Sequence, residues 1–134
     1  MRFLPNARIV VLDGDARRRV LVCAGLTELG LAQVVPAGSA REARQLAAER
    51  PIDLCVVDPR AIGPESRTKV FPNPFHDDAT PAILVAAETS VVTLEAAAAA
   101  GYCAVIGFPV VPRLLYRRIG SILQKARRTA RNAG

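Results

Sequence analysis

Three carboxylates stand where chemistry could be done. Asp13 and Asp15 follow the apolar run Ala7-Arg8-Ile9-Val10-Val11-Leu12, and Asp58 follows Leu54-Cys55-Val56-Val57. Each run is aliphatic and β-branched and gives way to polar residues, the pattern of a buried strand and its exit loop. At one edge of a parallel sheet the three acids would repel one another unless a cation, a basic side chain or raised pKa values relieved them. A hard divalent ion such as Mg²⁺ suits such a group, because it takes one or two carboxylates together with waters and phosphate oxygens. An Asp beside that ion can act as a nucleophile toward a phosphoryl donor. The chemistry implied by position is Mg²⁺-assisted phosphoryl transfer to Asp58.

Other chemistries have little to build on. His76 is the sole histidine, in a Pro-rich polar stretch where solvent exposure is expected, so a metal cluster or His-based catalysis lacks partners. Cys23, Cys55 and Cys103 lie far apart in apolar stretches and are expected to be buried small hydrophobes in a reducing compartment. No apolar run approaches the roughly 20 residues of a membrane span, and Met1-Arg2-Phe3-Leu4-Pro5 is too short for a signal-peptide core. A cytoplasmic protein is expected. The net charge of +6 concentrates in Arg17-Arg18-Arg19 and in Arg113, Arg117, Arg118, Lys125, Arg127, Arg128 and Arg131. Solvated helix faces account for it; the sharper readings are an acidic partner, nucleic acid or lipid. Without an RNA-binding motif or interleaved aromatics, nucleic acid is the lesser of these.

The elements that must position the acids follow from periodicity. At 134 residues with 51% hydrophobic and 4% aromatic residues, the chain suits one domain with an aliphatic core. Asp15 can cap a first helix with the stripe Leu21, Val22, Leu26 and Leu29, stopped by Gly30. A short second strand at 32–35 precedes the capping box Ser39-Ala40-Arg41-Glu42. The helix it opens buries Ala43, Leu46 and Ala47 and ends by Arg50-Pro51. After the third strand, residues 59–81 are Pro-rich, and one short irregular helix is expected around 65–70. A fourth strand at 82–86, a thinly packing Ala-rich helix over 90–100, and a fifth strand at 103–106 come next. A last helix has Pro112 near its first turn and Leu115, Ile119, Ile122 and Leu123 on one face. Alternating strands and helices predict a doubly wound α/β parallel sheet, with function beyond the carboxyl ends of the strands.

In order and spacing, Val10-Val11-Leu12-Asp13, Ile52-Asp53-Leu54-Cys55-Val56-Val57-Asp58, Thr80-Pro81-Ala82-Ile83-Leu84-Val85, Ala99-Ala100-Gly101 and Phe108-Pro109 resemble the response-regulator receiver domains of two-component signalling. The resemblance covers about residues 7–123. It implies a flavodoxin-like, doubly wound five-stranded sheet of order 2-1-3-4-5, with a receiver domain over 1–124 and a basic tail over 125–134. It also implies a signalling domain rather than an enzyme, with at most self-phosphorylation and dephosphorylation at Asp58.

The family's working residues carry over unevenly. Asp58 matches the phosphoacceptor and Asp13 one of the two metal-binding acids. The second acid position is Gly14, with Asp15 next to it as the candidate substitute, and Arg60 holds the position whose backbone carbonyl binds the metal. The switch Thr or Ser aligns with Ala86, the phosphate-binding Lys with Phe108, and the aromatic switch with Val105. Pro109 is retained, and a cis peptide is implied there. Mg²⁺ binding is therefore expected to be weak. Arg60 is expected in solvent, the sharper alternative being that its guanidinium folds over Asp13, Asp15 or Asp58 as counter-charge. The face of the family's fourth helix, fifth strand and fifth helix commonly mediates dimerisation or effector docking. Here it would present Thr93, Glu95, Tyr102, Arg113, Arg117 and Arg118. The leading reading is a degenerate receiver (a pseudo-receiver) docking to a sensor kinase or effector protein, with a homodimer through that face as one form. The alternatives are a phosphorylatable receiver in a Mg²⁺-dependent phosphorelay, and a nucleic-acid binder acting through its basic tail.

Overall fold

The aliphatic runs assemble side by side into one parallel sheet. In the computed structural model, which describes residues 4–61, 73–75, 79–87 and 89–133, β1 spans Arg8–Leu12, β2 Gln33–Ala37, β3 Leu54–Val57, β4 Ala82–Ala86 and β5 Ala104–Gly107. Their order is β2-β1-β3-β4-β5 and every pairing is parallel, the flavodoxin-like arrangement expected. Four helices are described: α1 (Ala16–Glu28), α2 (Ala40–Glu49), α3 (Val91–Ala99) and α4 (Pro112–Ala133). The last two take the places of the family's fourth and fifth helices. The expected irregular helix around 65–70 and His76 lie outside the described residues.

Period-2 alternation divides the strand residues between two cores. On one face Val10, Leu12, Cys55, Val57 and Leu84 pack with Ala43 of α2, Ala97 of α3, Phe75 and Tyr102. On the other Ile9, Val11, Leu54, Val56, Ile83 and Val85 pack with Val22 and Leu26 of α1 and with Leu115, Ile119 and Leu123 of α4. β1, β3 and β4 are buried along their whole length, whereas the edge strands β2 and β5 are only partly covered. The Ala-rich α3 packs thinly, as expected, burying only Thr93 and Ala97.

Several local expectations are corrected. Leu21 does not join the buried stripe of α1; it lies about a quarter turn from Val22 and is 63% exposed. Cys103 is exposed, because it precedes an edge strand, while Cys55 is buried and Cys23 half-buried; all three are free thiols. Burial pushes the Cys55 thiol up, which leaves it inert. Ser39 caps α2 through the Glu42 N–H, but the Glu42 carboxylate accepts from Gly38 N–H rather than from Ser39. Helix α4 runs from Pro112 to Ala133. Among the described residues no helix is long and apolar enough to cross a membrane.

Two contacts tie the layers together. Gly25 of α1 meets the ring of Pro112 at the start of α4, and a Cβ at Gly25 would fall 2.6 Å from the Pro112 Cγ. At the opposite end of the sheet, Arg8 is 3% exposed. Its Nη1 donates to the Leu46 carbonyl at 2.9 Å and to the Arg50 carbonyl, which places a cation on the C-terminal carbonyls of α2.

Replacing a mid-helix Gly by Ala ordinarily stabilises by about 0.5–1 kcal/mol. Here the Pro112 ring cannot swing away, so Gly25→Ala is expected to destabilise by about 1–3 kcal/mol in urea unfolding. Arg8→Met is expected to cost about 2–4 kcal/mol in the same measurement, because helix-end carbonyls lose a charged donor. Arg8→Lys, which keeps a donor, should lose less.

Candidate functional site

The sheet register builds the site. Leu12 pairs with Val57 across β1 and β3, so the next residue on each strand, Asp13 and Asp58, emerge side by side. Main-chain bonds pin both: Asp13 N–H donates to the Ala37 carbonyl at 3.0 Å, and Asp58 N–H to the Leu12 carbonyl at 2.8 Å. Asp13 is 6% exposed and Asp58 3% exposed. Two carboxylates are thus brought together away from water, where each needs a counter-charge.

Arginine supplies it. Asp15 caps α1 by accepting the Arg18 N–H at 2.9 Å, which fixes the first helical turn. Helical side chains lean toward the N-terminus, so Arg18 reaches back over the loop. Its Nε donates to Asp13 Oδ2 at 3.1 Å and its Nη2 to Asp13 Oδ1 at 3.0 Å, a two-pronged pair. The same Nη2 lies 3.7 Å from Asp58 Oδ2. Arg19 adds a bond from Nη1 to the Asp13 carbonyl at 2.7 Å.

The second arginine comes from the 3-10 turn Pro59–Ala61 that follows β3. Arg60 N–H and Nε both donate to Asp58 Oδ1, at 3.0 and 2.9 Å, and Nη2 donates to Oδ2 at 2.5 Å. Of the two expectations for Arg60, solvent or counter-charge, the structure has the second, and Asp58 is the partner. The tight turn brings the guanidinium back onto the carboxylate two residues earlier, while the Arg60 side chain stays 50% exposed to solvent. The carboxylates in turn hold both guanidinium pKa values above the ordinary arginine value.

Phe108 completes the arrangement. Its ring centroid lies 4.8 Å from the Arg60 Cζ and 5.6 Å from the Arg18 Cζ, so one aromatic ring sits against both cations. The Phe108-Pro109 peptide is cis, as the resemblance implied. Asp13, Arg18, Leu21, Asp58, Phe108 and Val110 line a cleft of about 140 Å³.

As they stand, these residues do not fit a divalent ion. All four carboxylate oxygens of Asp13 and Asp58 are engaged by guanidinium groups. A Cβ at Gly14 would lie 3.4 Å from the Ala61 Cα, so even a longer side chain there would begin against the turn that carries Arg60. The Asp15 carboxylate is occupied as the helix cap, and the Arg18 N–H bond, first among its causes, lowers its pKa. Among the described residues no three of His, Cys, Asp and Glu converge as a metal site. Arg60 meets Asp58 through its side chain and its N–H, where the resemblance implied a carbonyl ligand.

The switch positions carry no polar side chain. Ala86 is buried at the end of β4 and its carbonyl accepts from Phe108 N–H at 3.0 Å. Val105 is half-buried beneath α3. On the expected docking face, Arg113, Arg117, Arg118 and Glu95 are exposed, but Tyr102 and Thr93 are corrections. Tyr102 is 6% exposed and packs into the core after α3, and Thr93 turns inward on the Ser90 cap. Burial raises the Tyr102 phenol pKa. Sequence reasoning missed Arg18, treating it as part of a solvated basic run. The signal was its place three residues after the capping Asp15.

No family model matches the chain, and no curated protein matches it. Solved structures do. The CheY-like response regulator receiver domain protein from Methanospirillum hungatei aligns with a TM-score of 0.71 at 20% identity, over 92% of this chain and 98% of that one. Chemotaxis protein CheY4 of Vibrio cholerae gives 0.66 at 21% identity, over 85% and 96%. NtrX from Brucella abortus gives 0.74 at 18% identity, over 93% of this chain and 28% of its own longer chain. The site described here is therefore set on the receiver-domain fold of two-component response regulators.

Proposed function

We propose that this chain is a receiver-fold docking module of the cytoplasm whose signalling does not depend on phosphorylation of Asp58. The observation that carries the reading is the Arg60 fork on Asp58, which takes both carboxylate oxygens. For Asp58 to attack a phosphoryl donor it must expose a free oxygen, and for Mg²⁺ to bind it must give one up to the metal. Each requires breaking charge-assisted hydrogen bonds. Arg18 imposes the same condition at Asp13. Phe108 offers no cation to a phosphoryl group, and Ala86 no hydroxyl. A conformational change needs contacts that differ between its two states, and those groups supply none.

On this reading the arginines do permanently what a metal and a phosphoryl group would do transiently: they neutralise the acids and hold the neighbouring loops. The output is then a constant surface, and the partner is a protein such as a sensor kinase or an effector. A second copy paired through the α3–β5–α4 face suits the charges poorly. That face presents Arg113, Arg117 and Arg118 against Glu95 alone, so self-pairing sets like charges together.

An amide NMR titration with Mg²⁺ followed by beryllofluoride tests the reading. The unaltered chain should show no saturable shifts at Asp13 and Asp58, whereas Arg18→Ala/Arg60→Ala should acquire Mg²⁺-dependent shifts there. Saturable shifts in the unaltered chain that spread to Phe108 and α4 would restore the phospho-switch. Stability gives an independent reading of the clamp. Where acids repel, Asp→Asn stabilises; here Asp58→Asn should destabilise by about 1–3 kcal/mol in urea unfolding, because it strands the guanidinium partners of a buried carboxylate.

A further inference from the structure

Among the described residues β5 is an edge strand, paired with β4 alone. Along a strand in a parallel sheet, successive residues turn their main-chain groups alternately to either side. Phe108 N–H donates to the Ala86 carbonyl at 3.0 Å, so Ile106 and Ala104 also turn toward β4, and Val105 and Gly107 turn their N–H and C=O outward. Beside this edge lies a groove of about 340 Å³ between β5 and α4. Val105, Ile106 and Gly107 form its strand side, and Leu114, Arg117 and Arg118 its helix side. Gly107 is exposed and brings no side chain to obstruct a second backbone.

The two faces flanking the edge differ in chemistry. α4 covers the face of Ala104 and Ile106 and carries the exposed Arg113, Arg117 and Arg118; no acidic residue follows Glu95 in the chain. α3 covers the face of Val105 and leaves Val91, Val92 and Leu94 exposed at 69%, 56% and 45%. A strand added to β5 would send alternate side chains to these two faces. Charge on the α4 side and bare apolar surface on the α3 side select one kind of sequence.

We propose that β5 accepts an extended acidic segment of a partner protein as a sixth strand, with carboxylates alternating toward Arg117 and Arg118 and aliphatic side chains toward α3. Main-chain bonds to Val105 and Gly107 supply affinity, and the alternation supplies specificity. The arginines also keep β5 of a second copy away, as charged residues beside open edges do. The inference rests on the docking reading and adds the partner's chemistry and its mode of addition.

The test uses the full chain and a blocked peptide of alternating valine and glutamate, followed by fluorescence anisotropy and amide NMR. Saturable binding is expected, with slowed hydrogen exchange at Val105 and Gly107. Arg117→Glu/Arg118→Glu changes only exposed side chains and should weaken affinity about tenfold or more while leaving the thermal midpoint unchanged. Equal binding of the same peptide N-methylated at alternate residues would overturn strand addition, leaving adsorption by charge. Absence of peptide binding would overturn it, as would displacement of the peptide by a mixed-sequence DNA duplex that leaves Val105 and Gly107 unprotected. Recording the same spectra with Mg²⁺ and beryllofluoride separates the two proposals. A silent spectrum with no peptide binding removes the strand site alone, whereas a responsive spectrum removes the docking reading itself.

Discussion

Two carboxylates, nearly dehydrated and side by side, set the terms for everything around them. The pairing of Leu12 with Val57 makes their proximity unavoidable once β1 and β3 are in register. Burying an uncompensated charge costs far more than a domain's net stability can absorb, so counter-charge has to come from somewhere. Here it comes from within the chain. Arg18 and Arg60 face Asp13 and Asp58 one to one, and the planar fork of each guanidinium matches a carboxylate as an ammonium could not.

That choice has consequences for the neighbouring elements. Arg18 can reach Asp13 only because Asp15 starts α1 where it does, so the helix cap is also part of the site's charge balance. Arg60 can fold back only because Pro59–Ala61 is a tight 3-10 turn. A lysine in place of Phe108 would set a third cation against two others; the phenyl ring instead offers both arginines a face to rest on. Arg18, Arg60 and Phe108 thus form one coherent arrangement, in which the acids are balanced by side chains of the chain itself.

The distribution of charge over the rest of the surface follows a different logic. From Pro112 to Leu123 helix α4 is amphipathic, with Leu115, Ile119 and Leu123 inward and Arg113, Arg117 and Arg118 outward. Its unbroken course through Lys125 extends the basic surface past the sheet. α3 is short and alanine-rich, and exposes Val91, Val92 and Leu94 together with Glu95. Between them the described sheet ends in β5, which pairs on one side with β4. The acid edge is closed by its own side chains, and the β5 edge is left open.

Much of this was legible in the sequence. Aliphatic runs separated by capped helical stripes determined five strands, their order through the family resemblance, and the emergence of Asp13 and Asp58 at one edge. That Gly14, Ala86, Val105 and Phe108 stand where the resemblance implies other side chains was legible too, because it needs only residue identity. Tertiary structure decided what surrounds Asp13 and Asp58. Whether Arg60 points to solvent or to Asp58 depends on the curvature of one turn. Whether Arg18 is a surface charge or a counter-ion depends on a cap that sets a helix's first residue. Tyr102 and Thr93 moved inward for a similar reason: which face of a thin helix is covered depends on what packs beneath it. Local periodicity reports which residues share a face. The partner each charged side chain finds is a matter of distances across the sheet edge, and those exist only once the strands have paired.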